Sequence, residues 1–263
     1  MDADLILREA AGLHLGRSLE VHTVIGSTND RILELAAGGE AEGIVVCAES
    51  QFAGRGRLGR AWKDAPGGSL LFSVLLRPVT DQFAPGLLSI GAGVATADAL
   101  HELVGAPVRT KWPNDLLIPS ASPDGGPAKL GGILLEGRGG TFALGIGINI
   151  THAPPTEAPA LPSISLDQVW QRPASRETIL AAILRALDAV YSELQSGCTE
   201  QVLARARTLD TSLGQAVTLQ VAGKTVTGMA SGIDEAGALV IRTPDGIRAF
   251  AAGEVSLSSG IHR

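Results

Sequence analysis

Two apolar runs, Lys129-Leu130-Gly131-Gly132-Ile133-Leu134-Leu135-Glu136 and Phe142-Ala143-Leu144-Gly145-Ile146-Gly147-Ile148-Asn149-Ile150, face each other across Arg138-Gly139-Gly140. Each has the length and composition of a strand, and the glycine turn between them favours an antiparallel pair. Such a pair commits the chain to a sheet, and other apolar segments must supply its neighbours and its cover. Strands are expected at Leu19–Ile25, Gly43–Glu49, Leu70–Leu76 before Pro78, and on both sides of the Pro113-Asn114 bend within Val108–Ile118. Cover comes from helical patterns. Pro85–Val104 carries Leu88, Ile90, Val94, Ala97, Leu100 and Leu103, with Gly91 and Gly93 allowing close approach to the sheet, while Arg176–Leu194 is amphipathic and Thr199–Thr208 continues helically. A short helical pattern (Leu5, Ile6, Leu13) precedes the first strand, and Ile32, Leu33, Leu35 and Ala36 form another behind it.

At about Leu213 the pattern changes. Val217–Val221, Thr225–Gly228, Leu239–Arg242 and Ile247–Phe250 alternate, separated by Ala-Gly, Asp-Glu-Ala-Gly and Pro-Asp-Gly turns, which describes a small antiparallel barrel. The expected organisation is residues 1–210 as one unit and 211–263 as a second. A length of 263 residues with 45% apolar content supports that much core. The net charge of −6 argues against a general nucleic-acid binder, and 3% aromatics leave few stacking platforms for single strands. No apolar run approaches the roughly 20 residues that span a bilayer, and Met1-Asp2-Ala3-Asp4 is acidic where a signal peptide is basic, so a cytoplasmic protein is expected. Cys47 and Cys198 fit no metal or redox spacing, and the five histidines (His14, His22, His101, His152, His262) form no evident triad or metal motif.

Against this acidic background stands Gly54-Arg55-Gly56-Arg57-Leu58-Gly59-Arg60-Ala61-Trp62, three glycines interleaved with three arginines. Glycine lets the backbone approach a ligand, and guanidinium grips phosphate or carboxylate through two parallel bonds. Taken alone the run is equally a solvated basic loop. Ser27-Thr28-Asn29 can be a helix N-cap or can aim hydroxyl and amide groups at a polar ligand. Asn114-Asp115, next to Lys111, can be an Asx-turn. Lys129, entering an apolar Gly-Gly strand, can be an edge lysine that reaches water.

Together, and in this order, Ser27-Thr28-Asn29, Gln51 with the arginine loop, Lys111-Trp112-Pro113-Asn114-Asp115, Lys129–Glu136, Gly145-Ile146-Gly147-Ile148-Asn149 and the C-terminal barrel resemble the biotin protein ligase family over nearly the whole chain. The resemblance implies an α+β fold: an incomplete mixed β-sheet backed by helices, of the class II synthetase-like, biotin–lipoate ligase type, followed by a Src-homology-3-like barrel. It implies ATP and biotin as substrates, Mg²⁺ with the ATP, and the biotin carboxyl carrier domain of a biotin-dependent carboxylase as protein partner. Biotin would be activated as biotinyl-adenylate and passed to a carrier lysine. By the same resemblance Ser27, Thr28 and Gln51 bind the ureido ring, with Asn29 in the binding set. Arg55 and Arg57, with Gly54 and Gly56, close over carboxylate and phosphate, and Lys129 meets the same oxygens. Trp62 and Asn149 lie on the nucleotide side, Asp115 near the attacking amine or the metal, and Gly131 and Gly132 against biotin. A loop so rich in glycine is expected to be poorly ordered until it folds over a ligand. Some family members carry an N-terminal DNA-binding domain, which the ~20 residues before the first strand cannot form; a ligase without DNA or membrane partners is expected. The oligomeric state stays open, and lipoate ligation and nucleic-acid binding are the alternatives.

Overall fold

The computed structural model describes residues 1–79, 83–156 and 161–257. His262, part of the Pro/Ser-rich stretch at 151–173 and the end of the second expected unit lie outside them. After α1 (Ala3–Glu9) the chain builds a seven-stranded sheet from β1 (Ser18–His22), β2 (Ile44–Ala48), β3 (Ser69–Leu76), β4 (Arg109–Lys111), β5 (Asp115–Ile118), β6 (Ala128–Arg138) and β7 (Thr141–Asn149). Its order is β1-β2-β3-β7-β6-β5-β4; β1 and β2 are parallel and every other pair is antiparallel. The β6–β7 pair that the glycine turn demands is in register from Gly131↔Ile148 to Arg138↔Thr141.

The sheet is covered unequally. One face packs on α3 (Gly86–Val104), α4 (Arg176–Gln195) and α5 (Thr199–Leu209), and side chains alternate between faces, so Val45, Cys47, Val74, Leu144 and Ile146 join that core. On the other face Ile44, Val46, Leu75 and Ala143 meet Ile32 of α2 (Thr28–Ala37). α2 covers only part of that face. Beyond it, Gly145 and Gly147 of β7 and Gly132 of β6 present no side chains, and Gly132 is paired directly with Gly147. A cleft therefore opens where cover and side chains are both missing. α3 is the one helix among the described residues long and apolar enough to cross a membrane, and it is largely buried in this core.

The C-terminal unit has five antiparallel strands, β8 (Ala216–Val221), β9 (Lys224–Ile233), β10 (Leu239–Thr243), β11 (Gly246–Phe250) and β12 (Glu254–Leu257), in the order β11-β10-β9-β8-β12. Sequence pattern stops β9 at Gly228, but the strand continues to Ile233. A Cβ at 228 would run into the Arg242 carbonyl, so this glycine admits a neighbouring backbone rather than ending the strand. β12 has no expected counterpart; it is short and pairs with β8, a contact that local pattern does not encode. The two units share one core, in which Leu87 and Leu88 cluster with Val217, Leu239 and Ile241.

Candidate active site

α2 begins at Thr28, with Ser27 in extended conformation at the N-cap position. Ser27 does not cap the helix with its side chain. Gln51, held beside Ile25 by a parallel bridge, does that work: its Oε1 accepts from Thr28 N at 2.7 Å and from Thr28 Oγ1 at 3.1 Å. The helix start is thus satisfied while the Ser27 hydroxyl and the Gln51 amide N–H groups remain for a ligand. Gly54 is buried behind them, where a Cβ would stand 3.2 Å from Gln51 Nε2 and 3.3 Å from the Trp62 carbonyl.

The arginine loop leaves the sheet and returns through a narrow neck. Trp62 N donates to Gly54 O at 2.9 Å, Gly56 N donates to Arg60 O at 2.7 Å, and Arg55 bridges Ala61. Arg55 is bound to two carboxylates: NH1 and NH2 reach Asp30 at 2.8 and 2.6 Å, while Nε and NH2 reach Glu136 at 3.3 and 3.0 Å. Glu136 also accepts from Asn29 Nδ2 at 2.8 Å, and the Ser73 hydroxyl lies 2.6 Å from Asn29 Oδ1 and 2.7 Å from Thr28 Oγ1. One hydrogen-bonded chain therefore runs from Gln51 through Thr28, Ser73, Asn29 and Glu136 to Arg55 and Asp30. With its forks so occupied, Arg55 anchors the base of the loop.

Arg57 is placed differently. It is half-buried, and among the described residues NH1 meets only the Asn114 amide oxygen at 3.4 Å and the Gly253 carbonyl at 3.1 Å. Burial pulls its basicity down, and nearby Asp115 and Glu254 partly restore it. A guanidinium withdrawn from water without a paired carboxylate suits an incoming anion. Opposite it, Lys129 Nζ is 2.6 Å from Asp115 Oδ1 and Lys111 Nζ is 3.2 Å from Asp115 Oδ2. Three cations thus surround one carboxylate, while Arg60 is neutralised by Glu254 of the C-terminal unit.

Burial alone would raise the Asp115 carboxyl, but Lys129 and Lys111 more than offset it and hold the group below its ordinary 3.8. Stabilisation from such a depressed carboxyl is complete above the ordinary value and is lost as pH falls through the lowered one. Asp115→Asn should therefore lower the urea midpoint at neutral pH, with the gap from the parent narrowing only once the pH drops below about 3.8. A gap that closes near neutrality would assign the linkage to another group.

The Trp62 indole covers the glycine floor. A Cβ on Gly147 would stand 2.7 Å from its ring, and the ring also lies over Gly132. Its buried Nε1–H has no partner among the described residues. Gly145 makes the matching notch for Asn29, whose amide would collide with any side chain there. The two glycines of Gly145-Ile146-Gly147 thus seat one polar and one aromatic side chain.

The cleft, about 170 Å³, collects Ser27, Thr28, Asn29, Gln51, Arg55, Gly56, Arg57, Trp62, Asp115, Lys129 and Gly132 of the expected set. Gly54, Gly131 and Asn149 stand behind its lining. Gly131 packs against the β7 backbone, and Asn149 donates to Ile164 O at 3.1 Å with its buried Oδ1 unpartnered among the described residues. The expected set omitted Asp30, Ser73, Glu136 and Glu254, and it gave no role to Lys111 and Asn114, although both stand in the Lys111–Asp115 motif. Glu136 was within reach, because Gly132, Leu134 and Glu136 share a face by strand alternation. No described histidine lines the cleft, and no group of three His, Cys, Asp or Glu residues able to cage a metal occurs among the described residues.

Residues 21–152 match the biotin/lipoate A/B protein ligase family, and residues 212–258 match the biotin protein ligase C-terminal domain. The chain is 35% identical to the biotin--[acetyl-CoA-carboxylase] ligase of Mycobacterium tuberculosis, over 91% of this chain and 88% of that one. It is 34% identical to the bifunctional ligase/repressor BirA of Escherichia coli, over 93% of this chain and 75% of that one. The biotin protein ligase of Aquifex aeolicus, solved in complex with biotin and ATP, superposes with a TM-score of 0.78 at 26% identity, covering 93% of this chain and 100% of that one. With the glycine-floored cleft, the arginine loop and the C-terminal strands all in place, this chain belongs to the biotin/lipoate A/B protein ligase family.

Proposed function

We propose that this protein is an ATP-dependent biotin protein ligase that makes biotinyl-5'-adenylate and transfers the biotinyl group to a lysine of a biotin carboxyl carrier domain. The observation that carries this reading is a cleft with two unlike ends. One end offers neutral donors and acceptors from Ser27 and Gln51; the other gathers Arg57, Lys111 and Lys129 around Asp115. A ureido ring suits the first end and a carboxylate beside phosphates suits the second. Lipoate has the carboxylate, but its dithiolane would leave the polar end unpaired, a strong basis for rejection.

In the first step the biotin carboxylate attacks the α-phosphorus of ATP, the new C–O–P linkage forms and pyrophosphate leaves. In the second, the carrier amine attacks the anhydride carbonyl, giving an amide and releasing AMP and a proton. The substrates provide both nucleophiles, so the protein contributes position and charge. Arg57, Lys129 and Lys111 stabilise the phosphoryl oxygens, and Asp115 holds the two lysines in register. Paired with both lysines, it acts as a positioning anion. Trp62 and the loop exclude water from the adenylate. Mg²⁺ enters with ATP as part of that substrate. We further assign residues 1–210 to the ligase domain and 211–263 to the barrel, and place the enzyme in the cytoplasm.

The test is transfer of labelled biotin to a purified carrier domain with Mg-ATP, with lipoate as competitor. ATP-dependent labelling that lipoate does not suppress is expected; lipoyl transfer, or activation of neither acid, would overturn the reading.

A further inference from the structure

The Lys111–Asp115 turn carries a lysine, an asparagine and an aspartate of the cation cluster, yet it is only a short bend at the β4 edge of the sheet. Something must hold it. On the inner side, Asn114 Nδ2 donates to Ile133 O at 2.8 Å and Ile133 N donates to Asn114 O at 2.9 Å. On the outer side stands Asp210, the residue that ends α5 and begins the passage to the C-terminal strands. Its Oδ2 accepts from Trp112 N at 2.6 Å and its Oδ1 accepts from Ser212 N at 2.7 Å. Backbone pairing repeats the link, since Asp210 bridges Thr110 in parallel and Thr211 N donates to Thr110 O at 2.8 Å. The barrel adds its own contact, Gly237 O accepting from the Trp112 indole at 3.0 Å.

Both Asp210 oxygens are thus engaged by amides from two different parts of the chain, and the carboxylate is mostly buried, which raises its pKa against the opposing amides. It lies outside the lining of the cleft and lines a small neighbouring pocket with Trp112 and Asn114. A buried carboxylate is costly to keep, and an apolar contact would hold the two segments together at lower cost. What a carboxylate does here that an apolar side chain cannot is define the position of the Trp112 amide, and with it the lysine before and the carboxylate after.

We propose that Asp210 is a positioning residue for the nucleotide half of the reaction, fixing the Lys111–Asp115 turn relative to the interdomain passage. This rests on the assignment of Lys111 and Lys129 to the phosphates. The ring-end residues Ser27, Thr28 and Gln51 sit on α2 and beyond β2, which Asp210 does not touch. Its loss therefore acts on ATP and spares biotin. Asparagine is not a substitute, because one of its two positions would turn an N–H toward a backbone N–H.

The experiment measures pyrophosphate release by the full chain with separate titrations of Mg-ATP and biotin. Asp210→Asn is compared with Leu203→Ala, which loosens buried packing of α5 without touching the turn. Expected for Asp210→Asn is an ATP KM raised about 10-fold or more with a biotin KM within about 2-fold of the parent, while Leu203→Ala lowers the urea midpoint and leaves the KM ratio unchanged. Where Asp210→Asn does not fold, Asp210→Glu displaces the oxygens by one methylene and should show the same split with smaller amplitude. Parallel rises in both KM values, or the same ATP-selective rise in Leu203→Ala, would overturn the proposal. A parent that releases no pyrophosphate with either biotin or lipoate would instead refute the ligase reading itself.

Discussion

Replacing Lys129 by alanine should slow biotinyl-adenylate formation by about 10²–10³-fold, the usual cost of removing one charge donor from a preorganised site. The structure makes that a clean substitution. Lys129 is about one-third exposed, at 34%, and its partner Asp115 keeps Lys111 at 3.2 Å, so no buried carboxylate is stranded. Because Asp115 stays paired with Lys111, the accompanying loss of stability should stay below the roughly 3–5 kcal/mol that stranding a buried charge costs. Biotin binding in the absence of ATP should persist, because the proposed reading assigns its ring end to Ser27 and Gln51. Single-turnover pyrophosphate release and calorimetric biotin titration separate the two effects. Wild-type adenylation in the variant would remove Lys129 from the reaction.

Gly131→Ala and Gly132→Ala should fail in opposite ways despite being neighbours. A Cβ at 131 would drive into the Gly147 carbonyl of the adjacent strand, where backbone cannot step aside, so a loss of about 1–3 kcal/mol or more in stability is expected. A Cβ at 132 would stand 3.6 Å from the Trp62 ring and 3.7 Å from Lys129 Nζ, ordinary contact distances, so the fold should accept it. The methyl group would, however, occupy cleft volume over the glycine floor. A biotin KM raised roughly 10-fold with an unchanged melting temperature is expected for Gly132→Ala, in line with one misplaced methylene-sized group. Denaturation and steady-state kinetics on both variants decide it; a Gly131→Ala protein of parental stability, or an unaltered KM in Gly132→Ala, would contradict the geometry.

These adjacent glycines mark where sequence reading stops. Both stand in the same motif, and strand alternation alone places them on opposite faces. Which face holds the ligand depends on where α2 ends its cover of the sheet. Arg55 and Arg57 give the same lesson. As residue types they are equivalent, yet Asp30 and Glu136, distant in sequence, commit one to the scaffold and leave the other open to an anion.

The sequence by itself determined the strands and helices of the main sheet, the change of character near Leu213 and the set of residue types assembled for an anionic, partly neutral ligand. Those are properties of local periodicity, turn chemistry and composition, all carried by neighbouring residues. Tertiary structure alone decided that β12 pairs with β8, that Glu254 and Gly253 meet the arginine loop, and that Asp210 grips the Trp112 amide. Apart from the β12–β8 pair, these contacts join residues 98 to 196 positions apart. Their partners are chosen by how segments distant in sequence pack together, and no local pattern records that.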